Sequence, residues 1–523
     1  MTTPITESTH SQERIEIHKI VVFIAMSFGM FMAILDIQIV SSSLAEIQAG
    51  LTASSEEISW VQTSYLIAEV IMLPLSGFLG RLLSTRVFFT LSAIGFTITS
   101  ILCATATSIG EMIIYRALQG FIGGGIIPSV FVASYILFPP SKRPIVIPIV
   151  GLVATLAPTI GPTVGGYLCH LSSWHWLFLI NVPCGIIISI LAWKLIDFDK
   201  ANPSLMNKFD WLGLISMAIF LGTLEYILEE GARHDWFNDK LILNAFIIMI
   251  LSAALFFWRT LTAKEPIVDL TAFANFNFST AAIFSFTIGI GLYGLTYLYP
   301  VYLSQIRHYD ALMIGETLFL SGFTMLLTAP LAGFLSARID ERLMMAIGLG
   351  SFAIGTWMTS SITDNWDFWQ FFWPQVFRGF SVMLCMVPIN NIALGSLPPE
   401  RMQNASGLFN LTRNLGGAVG LAIISTILTK RTDLHYTRIA ETLHHGNRQA
   451  MEMLSNLTLY FKTATFDSHT LALFQLFNMA RIQAVIMAFS DIFVIITIIF
   501  SIVTFMTVFL KKTPPLSDPP SSH

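Results

Sequence analysis

The apolar residues of this 523-residue chain fall in blocks of about 20, and this grouping limits what the chain can fold into. A helix of about 20 residues is roughly 30 Å long, which matches the thickness of the hydrocarbon core of a membrane. Only 11% of the residues are charged, too few to cover the surface of a soluble protein. We therefore predict an all-α polytopic membrane protein.

Fourteen blocks are long enough to span the membrane. We place them at residues 19–42, 59–80, 87–107, 110–136, 144–167, 174–196, 211–229, 241–260, 278–303, 312–336, 343–362, 369–396, 404–429 and 484–510. An even number of spans puts both termini on one side. Lysine and arginine concentrate in the loops on that side, whereas the short loops opposite contain Arg233, Lys240 and Arg307. Because positively charged loops stay in the cytoplasm, we expect both termini to be cytoplasmic.

A long segment, residues 430–483, separates the last two predicted spans on the outer side. Apolar residues such as Leu434, Ile439 and Leu443 recur in it at helical spacing, which predicts amphipathic helix with a break at Gly446. Two interpretations stay open: a solvated cap, or a docking surface for a partner.

An internal repeat relates two parts of the chain. The second span ends in PLSGFL at residues 74–79, and the tenth ends in PLAGFL at residues 330–335. QGF at 119–121 in the fourth span corresponds to RGF at 378–380 in the twelfth, and a pair of prolines follows 19 residues after each glycine. The offsets are 256 and 259 residues, or eight helices. An even number of helices keeps the two copies parallel in the membrane.

The repeat predicts two six-helix bundles with two helices inserted between them. The predicted units are a tail (1–18), an N-terminal bundle (19–196), the inserted seventh and eighth helices (197–265), a C-terminal bundle (266–510, including loop 430–483) and a second tail (511–523). Parallel repeats are typical of transporters whose two halves move about a central site.

Six short motifs are distributed over nearly the whole chain. They are LDIQIV at 35–40, YRALQG at 115–120, GPTVGG at 161–166, WHWLFLINVP at 174–183, LPPER at 397–401 and NLTR at 410–413. The first four resemble the LDxTIVNVALP, RxxQG, GPxxGG and WxWxFxINxP motifs of the major facilitator superfamily, within it the fourteen-helix drug:proton antiporters of the EmrB/QacA family. The last two are similar to the EmrB branch of that family.

The chain departs from this pattern in two places. Ser41 stands where the first-helix motif usually has Asn. The loop at 77–86 lacks the acid and the second glycine of the superfamily motif GxLADRxGRK, so it departs from the usual cytoplasmic charge latch.

The resemblance implies a proton-coupled antiporter that exports lipophilic drugs or other small toxic compounds by alternating access. It implies a bacterial inner membrane as location, with a periplasmic membrane-fusion adaptor protein and an outer-membrane channel as partners. The segment 430–483 would then be a plausible contact for the adaptor. The resemblance also assigns the GPTVGG helix to antiport.

The energy source is constrained by motifs that are missing from the sequence. No GxxxxGK[ST] stretch occurs, so nothing in the chain is suited to cradle ATP phosphates. An ion gradient therefore remains as the energy source, and the resemblance implies that it is a proton gradient. We predict no cofactor and no metal. Four cysteines without CxxC spacing are interpreted as packing residues: Cys103, Cys169, Cys184 and Cys385.

A proton gradient requires a titratable group inside the membrane. Asp36 lies about seven residues from the outer end of the first span, roughly 10 Å deep, and Arg116 lies at a similar depth in the fourth. A nearby arginine favours a charged carboxylate and burial favours a neutral one, which suits a group that binds and releases protons. The alternative is a fixed structural ion pair. Glu69, near the middle of the second span, is a second proton-coupling candidate or else a static core group.

Other acids are weaker proton-coupling candidates. Asp491 lies in the last span, and Glu225, Glu229 and Glu230 approach the outer end of the seventh. Glu316 is expected to be interfacial.

Polar residues within the spans could line a substrate cavity, or could equally hydrogen-bond between helices. They are Gln38, Gln119, Asn181, Gln375, Arg378, Asn390, Asn391 and Arg413. Small residues and prolines could serve conformational change, because they permit close approach of helices and local bending, although tight packing explains the glycines equally well. They are Gly120, Gly124, Pro158, Gly161, Pro162, Gly165 and Gly166.

Three alternative functions remain open. A dedicated exporter of one endogenous metabolite, fatty acid or siderophore would share all these features. Proton-coupled uptake would share the fold, although the GPTVGG helix disfavours it. A membrane-embedded enzyme or a scaffold is a different class, and the lack of HExxH, CxxC and nucleotide motifs weighs against the enzyme.

Overall fold

The structure is a computed structural model that describes residues 17–54, 57–139, 142–263, 266–336, 338–395, 397, 401–443, 448–461 and 468–509. Several predicted features lie outside these residues. They are most of the tail 1–18, the whole tail 511–523, the second proline of the first pair, both prolines of the second pair, and Gly446.

Eighteen α-helices make up the described part of the chain. They are α1 Ile17–Ser42, α2 Leu44–Leu51, α3 Trp60–Leu83, α4 Thr85–Ala104, α5 Ile109–Gly123, α6 Ile126–Ile136, α7 Arg143–Leu171, α8 Trp176–Leu179, α9 Asn181–Leu195, α10 Trp211–Glu230, α11 Lys240–Thr262, α12 Phe276–Gln305, α13 Ala311–Ser336, α14 Glu341–Thr359, α15 Phe368–Gly395, α16 Met402–Thr442, α17 Arg448–Phe461 and α18 Ser468–Met506. Short 3₁₀ helices are Pro203–Lys208, Trp236–Asn238, Leu270–Ala274 and Thr507–Phe509. No β-strand occurs among these residues.

Thirteen helical segments in the described residues are long and apolar enough to cross a membrane, with α5 and α6 forming one of them. The helix α14 is not among them, because it has only 19 residues and begins with the charged pair Glu341 and Arg342. It packs against α15 and α18 and corresponds to the predicted span 343–362. All fourteen predicted spans are therefore helical, and the expected multi-pass membrane architecture is confirmed.

Polar residues begin several of these helices. Asp210 accepts from the backbone N–H of Gly213, and Asp239 and Asn275 cap α11 and α12 in the same way. Asp210 also pairs with Arg259 at 2.8 Å, which joins the start of α10 to the end of α11. The loops thus fix the two inserted helices to each other.

The inserted pair does not lie apart from the two bundles. The helix α10 packs on α3 from the N-terminal half and on α16 from the C-terminal half. Its partner α11 packs mainly on α10 and leaves large apolar residues such as Leu251 and Leu261 exposed, as expected for a lipid-facing helix. One inserted helix therefore lies at the junction between the halves.

The internal repeat is also a repeat of close helix contacts. A Cβ at Gly120 would lie 2.3 Å from the carbonyl oxygen of Tyr65, and a Cβ at Gly379 would lie 2.3 Å from that of Ser321. The two glycines are 259 residues apart and their partners 256, the same offsets as in the sequence repeat. The α3–α5 and α13–α15 contacts therefore correspond, and each requires a residue without a side chain.

The halves meet at the end of the bundle where α1 begins. There the Tyr135 hydroxyl donates to the Asn390 carbonyl at 2.9 Å, and the Ser406 hydroxyl donates to the Pro128 carbonyl at 3.1 Å. Gly407 packs so closely on α3 that a Cβ would lie 2.6 Å from the Leu73 carbonyl oxygen. This end of the interface is closed.

The last two spans continue far beyond their apolar parts. The helix α16 runs to Thr442 and α18 begins at Ser468, 16 residues before the predicted start of the last span. With α17 they form a helical extension whose small apolar core contains Leu454, Ala472 and Leu476. Most of segment 430–483 is therefore helix continuous with the spans, because the two helices go on packing against each other outside the apolar region.

Candidate functional site

A cavity of about 480 Å³ lies between the two halves and faces the end opposite the closed contacts. Most of its lining comes from α1, α3, α10, α12 and α16, and Leu44 of α2 and Pro162 of α7 also contribute. Its polar lining comprises Gln38, Ser41, Ser59, Gln62, Thr63, Glu69, Glu225, Glu229, Glu230, Arg233, Tyr293, Thr296, Tyr297, Asn414 and Ser425. Two halves that are closed at one end and separated at the other match one state of an alternating-access cycle.

Asp36 forms a fully buried polar network behind this cavity. Its Oδ2 lies 2.6 Å from Nη1 of Arg116, and neither side chain is exposed. Its Oδ1 accepts from Asn181 at 2.6 Å and from Gln119 at 3.3 Å. The sequence predicted the first pair from equal depth, and the structure brings both residues together.

Helix packing fixes the orientation of the arginine in this network. Nε of Arg116 donates to the Val61 carbonyl at 3.2 Å, and its guanidinium lies 4.2 Å from the centre of the Tyr65 ring. Gln119 donates to Ser100 at 2.9 Å, so α4 also contributes. Four elements besides α1 therefore hold the carboxylate in place: α3, α4, α5 and α9.

Glu69 lies on α3 and faces the cavity directly. It is only 2% exposed, and the described residues offer it no hydrogen-bonding or ion-pair partner. The α3–α5 contact is close here too, since a Cβ at Gly124 would lie 3.2 Å from Cγ of Glu69. The structure therefore places this candidate at the cavity wall, whereas Asp36 lies one layer behind it.

The seventh span contributes more to the cavity than its sequence position indicated. Glu225 and Glu230 are 4% and 3% exposed and both line the cavity together with Glu229. Glu230 accepts from the Thr63 hydroxyl at 3.0 Å and lies 3.5 Å from Arg233. Within the described chain, Oε2 of Glu225 has no hydrogen-bond donor. These acids are buried between the halves, although their position suggested the outer interface; Glu316, in contrast, is exposed.

The C-terminal half contains a counterpart of the buried network. Gln375 and Arg378 stand 259 residues after Arg116 and Gln119, so the two halves carry the same pair in reverse order. Arg378 donates to the Thr296 hydroxyl at 2.7 Å, and no acid takes part. Both side-chain polar atoms of Gln375 lack a partner among the described residues. The buried arginine of the N-terminal half is thus paired with a carboxylate, Asp36, whereas the buried arginine of the C-terminal half bonds to a hydroxyl group.

The other predicted cavity residues divide into two groups. Gln38 lines the cavity, whereas Gln119 and Asn181 belong to the Asp36 network. Asn390 bonds to its own helix at the Met386 carbonyl, near the closed end. Asn391 and Arg413 also lie outside the cavity lining: Asn391 is half-buried, and Arg413 contacts Asn410 and the ring of Phe131.

Asp491 lies away from the cavity. Its Oδ2 is 2.6 Å from Nε of Arg431 and 2.7 Å from Nε2 of His435, both in the extended part of α16. This acid therefore joins α18 to α16 and does not face the central space.

Gly161 of α7 packs closely against α1. A Cβ at Gly161 would lie 2.4 Å from the Cβ of Gln38, a residue of the cavity wall. Pro158 and Gly165 are buried, and Pro162 lines the cavity. Gly166 is half-buried. The helix stays continuous through its internal prolines, so any bend of α7 would be transmitted to the cavity wall on α1.

Sequence reasoning missed several residues of the site. Tyr293 and Tyr297 form part of the cavity wall, and the Tyr293 hydroxyl donates to Asn414 at 3.3 Å. Their spacing of four residues puts them on one face of α12, which was a usable signal. Nothing in the local sequence singled out Asn414.

Comparisons with known proteins support the same architecture. The family model described as Major Facilitator Superfamily matches residues 26–421. The chain is 42% identical to the colistin resistance protein EmrB of Acinetobacter baumannii, covering 94% of this chain and 96% of that protein. It is 30% identical to the fatty acid resistance protein FarB of Neisseria gonorrhoeae, covering 94% and 96%, and 29% identical to the multidrug export protein EmrB of Escherichia coli K12, covering 84% and 86%. The human organic anion transporter MFSD10 shares the fold, with a TM-score of 0.58 and 12% identity over 92% of this chain and 99% of that one.

Proposed function

The chain belongs to the major facilitator superfamily, and on that premise we propose that it is a proton-coupled antiporter that exports small lipophilic toxic compounds. It is a multi-pass membrane transporter. The proposal covers the coupling ion, the direction of transport and the chemical class of the substrate.

The observation that carries the proposal is the burial of Asp36. An acid with no exposed surface inside a membrane helix is costly, and such residues usually mark an ion or substrate path. Arg116, Gln119 and Asn181 hold the ionised form through three contacts. A proton arriving at Asp36 would remove the charge that keeps these partners together. Protonation would therefore loosen the packing of α1 against α5 and α9.

Alternating access requires that this change reach the cavity. Ile37 and Gln38, which follow Asp36 on α1, line the cavity. Gln38 also packs on Gly161 of α7. The cavity opens at the end of the bundle away from the start of α1, which is the outer end in the proposed orientation, so outside protons would enter there. We assign Glu69, on the cavity wall, as the group that relays protons or senses substrate before Asp36.

The relatives support a drug substrate. Two of them are described as a colistin resistance protein and a multidrug export protein. Export of a fatty acid is the alternative, because another relative, FarB, is described as a fatty acid resistance protein. Four glutamates around the cavity weigh against that alternative, because they would repel a carboxylate.

Orientation and partners are also part of the proposal. Basic loops on the side where the chain begins support cytoplasmic termini in a bacterial inner membrane. The cavity would then face the periplasm, as would the extension formed by α16, α17 and α18. We propose that this extension contacts a periplasmic adaptor, which leads to an outer-membrane channel.

Inverted membrane vesicles with an acidic interior test the proposal. The wild type should accumulate ethidium, a cationic dye, and the uncharged probe N-phenylnaphthylamine offers a second substrate. Asp36→Asn should abolish accumulation of both and Glu69→Gln should reduce it, because each change removes a proton site while preserving shape. Asp491→Asn is the matched control, since that acid lies outside the cavity.

A protonophore that collapses the gradient should have the same effect as Asp36→Asn. Accumulation that survives in both Asp36→Asn and Glu69→Gln would refute the site assignment. Wild-type vesicles that accumulate neither probe would contradict export of lipophilic drugs.

A further inference from the structure

The inserted helix α10 places three of the four glutamates around the cavity. Glu225, Glu229 and Glu230 come from this helix, and Glu69 faces them from α3. Two spans inserted between the bundles need not contribute to a central site. Here one of them lies at the junction of the halves, with its acidic residues turned to the cavity.

The charges around the cavity are not balanced by the protein. Arg233 is the one basic residue among the cavity-lining residues that the structure describes, and it lies 3.5 Å from Glu230. Glu230 also accepts a hydrogen bond from the Thr63 hydroxyl, so its carboxylate has both a basic partner and a hydrogen-bond donor. Glu225 and Glu69 form no ion pair with a basic residue of the described cavity lining.

Glu225 is a cavity acid with a carboxylate oxygen that no described residue satisfies. It is 4% exposed, lines the cavity, and its Oε2 has no hydrogen-bond donor in the described part of the chain. A carboxylate oxygen that is removed from water without a hydrogen-bond partner is unfavourable. A positively charged ligand in the cavity would supply that partner.

The opposite wall suits the apolar part of such a ligand. Tyr293 and Tyr297 lie four residues apart on α12 and present aromatic rings, and Tyr293 is held by its hydrogen bond to Asn414. Aromatic faces attract cations and pack on flat apolar groups. Leu66 and Leu421 add apolar surface to the same space.

We propose that α10 forms the cation-recognition face of this cavity, and that it selects organic cations with an aromatic or apolar body. Glu225 is the principal partner of the positive charge, Glu69 and Glu229 flank it, and the two tyrosines contact the body of the ligand. The inference rests on the proposed function in one respect: the cavity is taken to be the transport cavity. It assigns the inserted helix a direct part in substrate choice.

Equilibrium binding to the full-length protein in nanodiscs tests the assignment. The cationic probe is tetraphenylphosphonium, and the uncharged probe of similar shape is triphenylphosphine oxide. Glu225→Gln should weaken phosphonium binding about tenfold or more, because a desolvated charge pair is lost, and should change binding of the phosphine oxide less than about twofold. Glu225→Asp keeps the charge and should retain a large part of the phosphonium affinity.

Glu316→Gln is the matched control, because it makes the same chemical change at an exposed glutamate outside the cavity. It should bind both probes as the wild type does. Gel filtration of each variant shows whether it is folded. The assignment is overturned if Glu225→Gln binds the phosphonium ion like the wild type, if both probes lose affinity equally, or if the wild type does not bind the cation.

The outcome separates this inference from the proposed function. If phosphonium binding needs Glu225 but no pH gradient drives accumulation of any probe, the cation site stands and proton antiport fails. If a gradient drives N-phenylnaphthylamine accumulation but Glu225→Gln leaves phosphonium binding intact, antiport stands and the cation site fails.

Discussion

Asp36 and Arg116 form an ion pair of 2.6 Å in which neither side chain has any exposed surface. The two residues are 80 positions apart, on α1 and α5, so their contact couples the packing of both helices to the charge of one carboxylate. A buried pair of this kind contributes little net stability, but loss of one partner leaves the other charge uncompensated. This asymmetry provides a direct test of the network.

Asp36→Asn should destabilise the protein by about 3–5 kcal/mol, because Arg116 keeps its charge and loses its only acidic partner in the described network. The double variant Asp36→Asn/Arg116→Gln should recover part of that loss, since no buried charge remains. Thermal and denaturant unfolding in detergent measure both effects. Transport should stay absent in both variants; equal stability of the single and double variants would contradict an uncompensated charge.

Gly120→Ala should strongly impair folding and transport. The new methyl group would lie 2.3 Å from the carbonyl oxygen of Tyr65, so α5 and α3 would have to separate. Gly379→Ala should have the corresponding effect in the C-terminal half, against Ser321. Gly110→Ala is the control on the same helix α5, because nothing lies within 4 Å of its Cβ position and the change should be neutral. Expression level and gel-filtration profile report the outcome.

Gly407→Ala should shift the protein toward a state that is open at the end where α1 begins. Its methyl group would lie 2.6 Å from the Leu73 carbonyl oxygen, so the closed contact between the halves would be strained. The readout is the labelling rate of a cysteine placed at Ser406, which is fully buried at this contact, in a background without the four native cysteines. Labelling should be faster with Gly407→Ala and unchanged with Gly395→Ala, where nothing lies within 4 Å. Unchanged labelling in both would show that this contact does not govern access.

Asp491→Asn should leave gradient-driven transport close to the wild-type level. The acid joins α18 to Arg431 and His435 of α16 outside the cavity, so its loss should loosen the extension. Because the pair with Arg431 is partly exposed, the expected loss of stability is modest, about 0.2–1 kcal/mol. Limited proteolysis of the extension and vesicle transport assays measure the two effects separately. Abolished transport with an intact extension would return Asp491 to the list of coupling residues.

Much of the architecture was predictable because it depends on local composition. Blocks of about 20 apolar residues predict membrane helices, and matching motifs at offsets of 256 and 259 residues predict parallel halves. Depth along a helix is also a local property, which is why Asp36 and Arg116 could be paired from their distance to the helix ends. The six motifs predicted the family in the same way.

The distribution of polar residues between network and cavity was not predictable from the sequence. Gln119 and Asn181 could have lined the cavity, yet both turn to Asp36. Glu225 and Glu230 of α10 are near a helix end by position, yet they are buried because α10 lies between α3 and α16. Hydropathy contains no information about which neighbour a helix face meets.

The sequence by itself thus determined the helical spans, the parallel repeat, the family and the matching depth of Asp36 and Arg116, since all of these follow from the order of residues along single helices. Only the tertiary structure decided which end of the bundle is closed, which acids find a basic partner and which remain unpaired at the cavity. The physical reason is that these properties depend on the rotation and contact of helices that are distant in the chain. Glu225 shows the difference: its helix was predicted, but its unpaired oxygen at the junction of the halves follows only from packing.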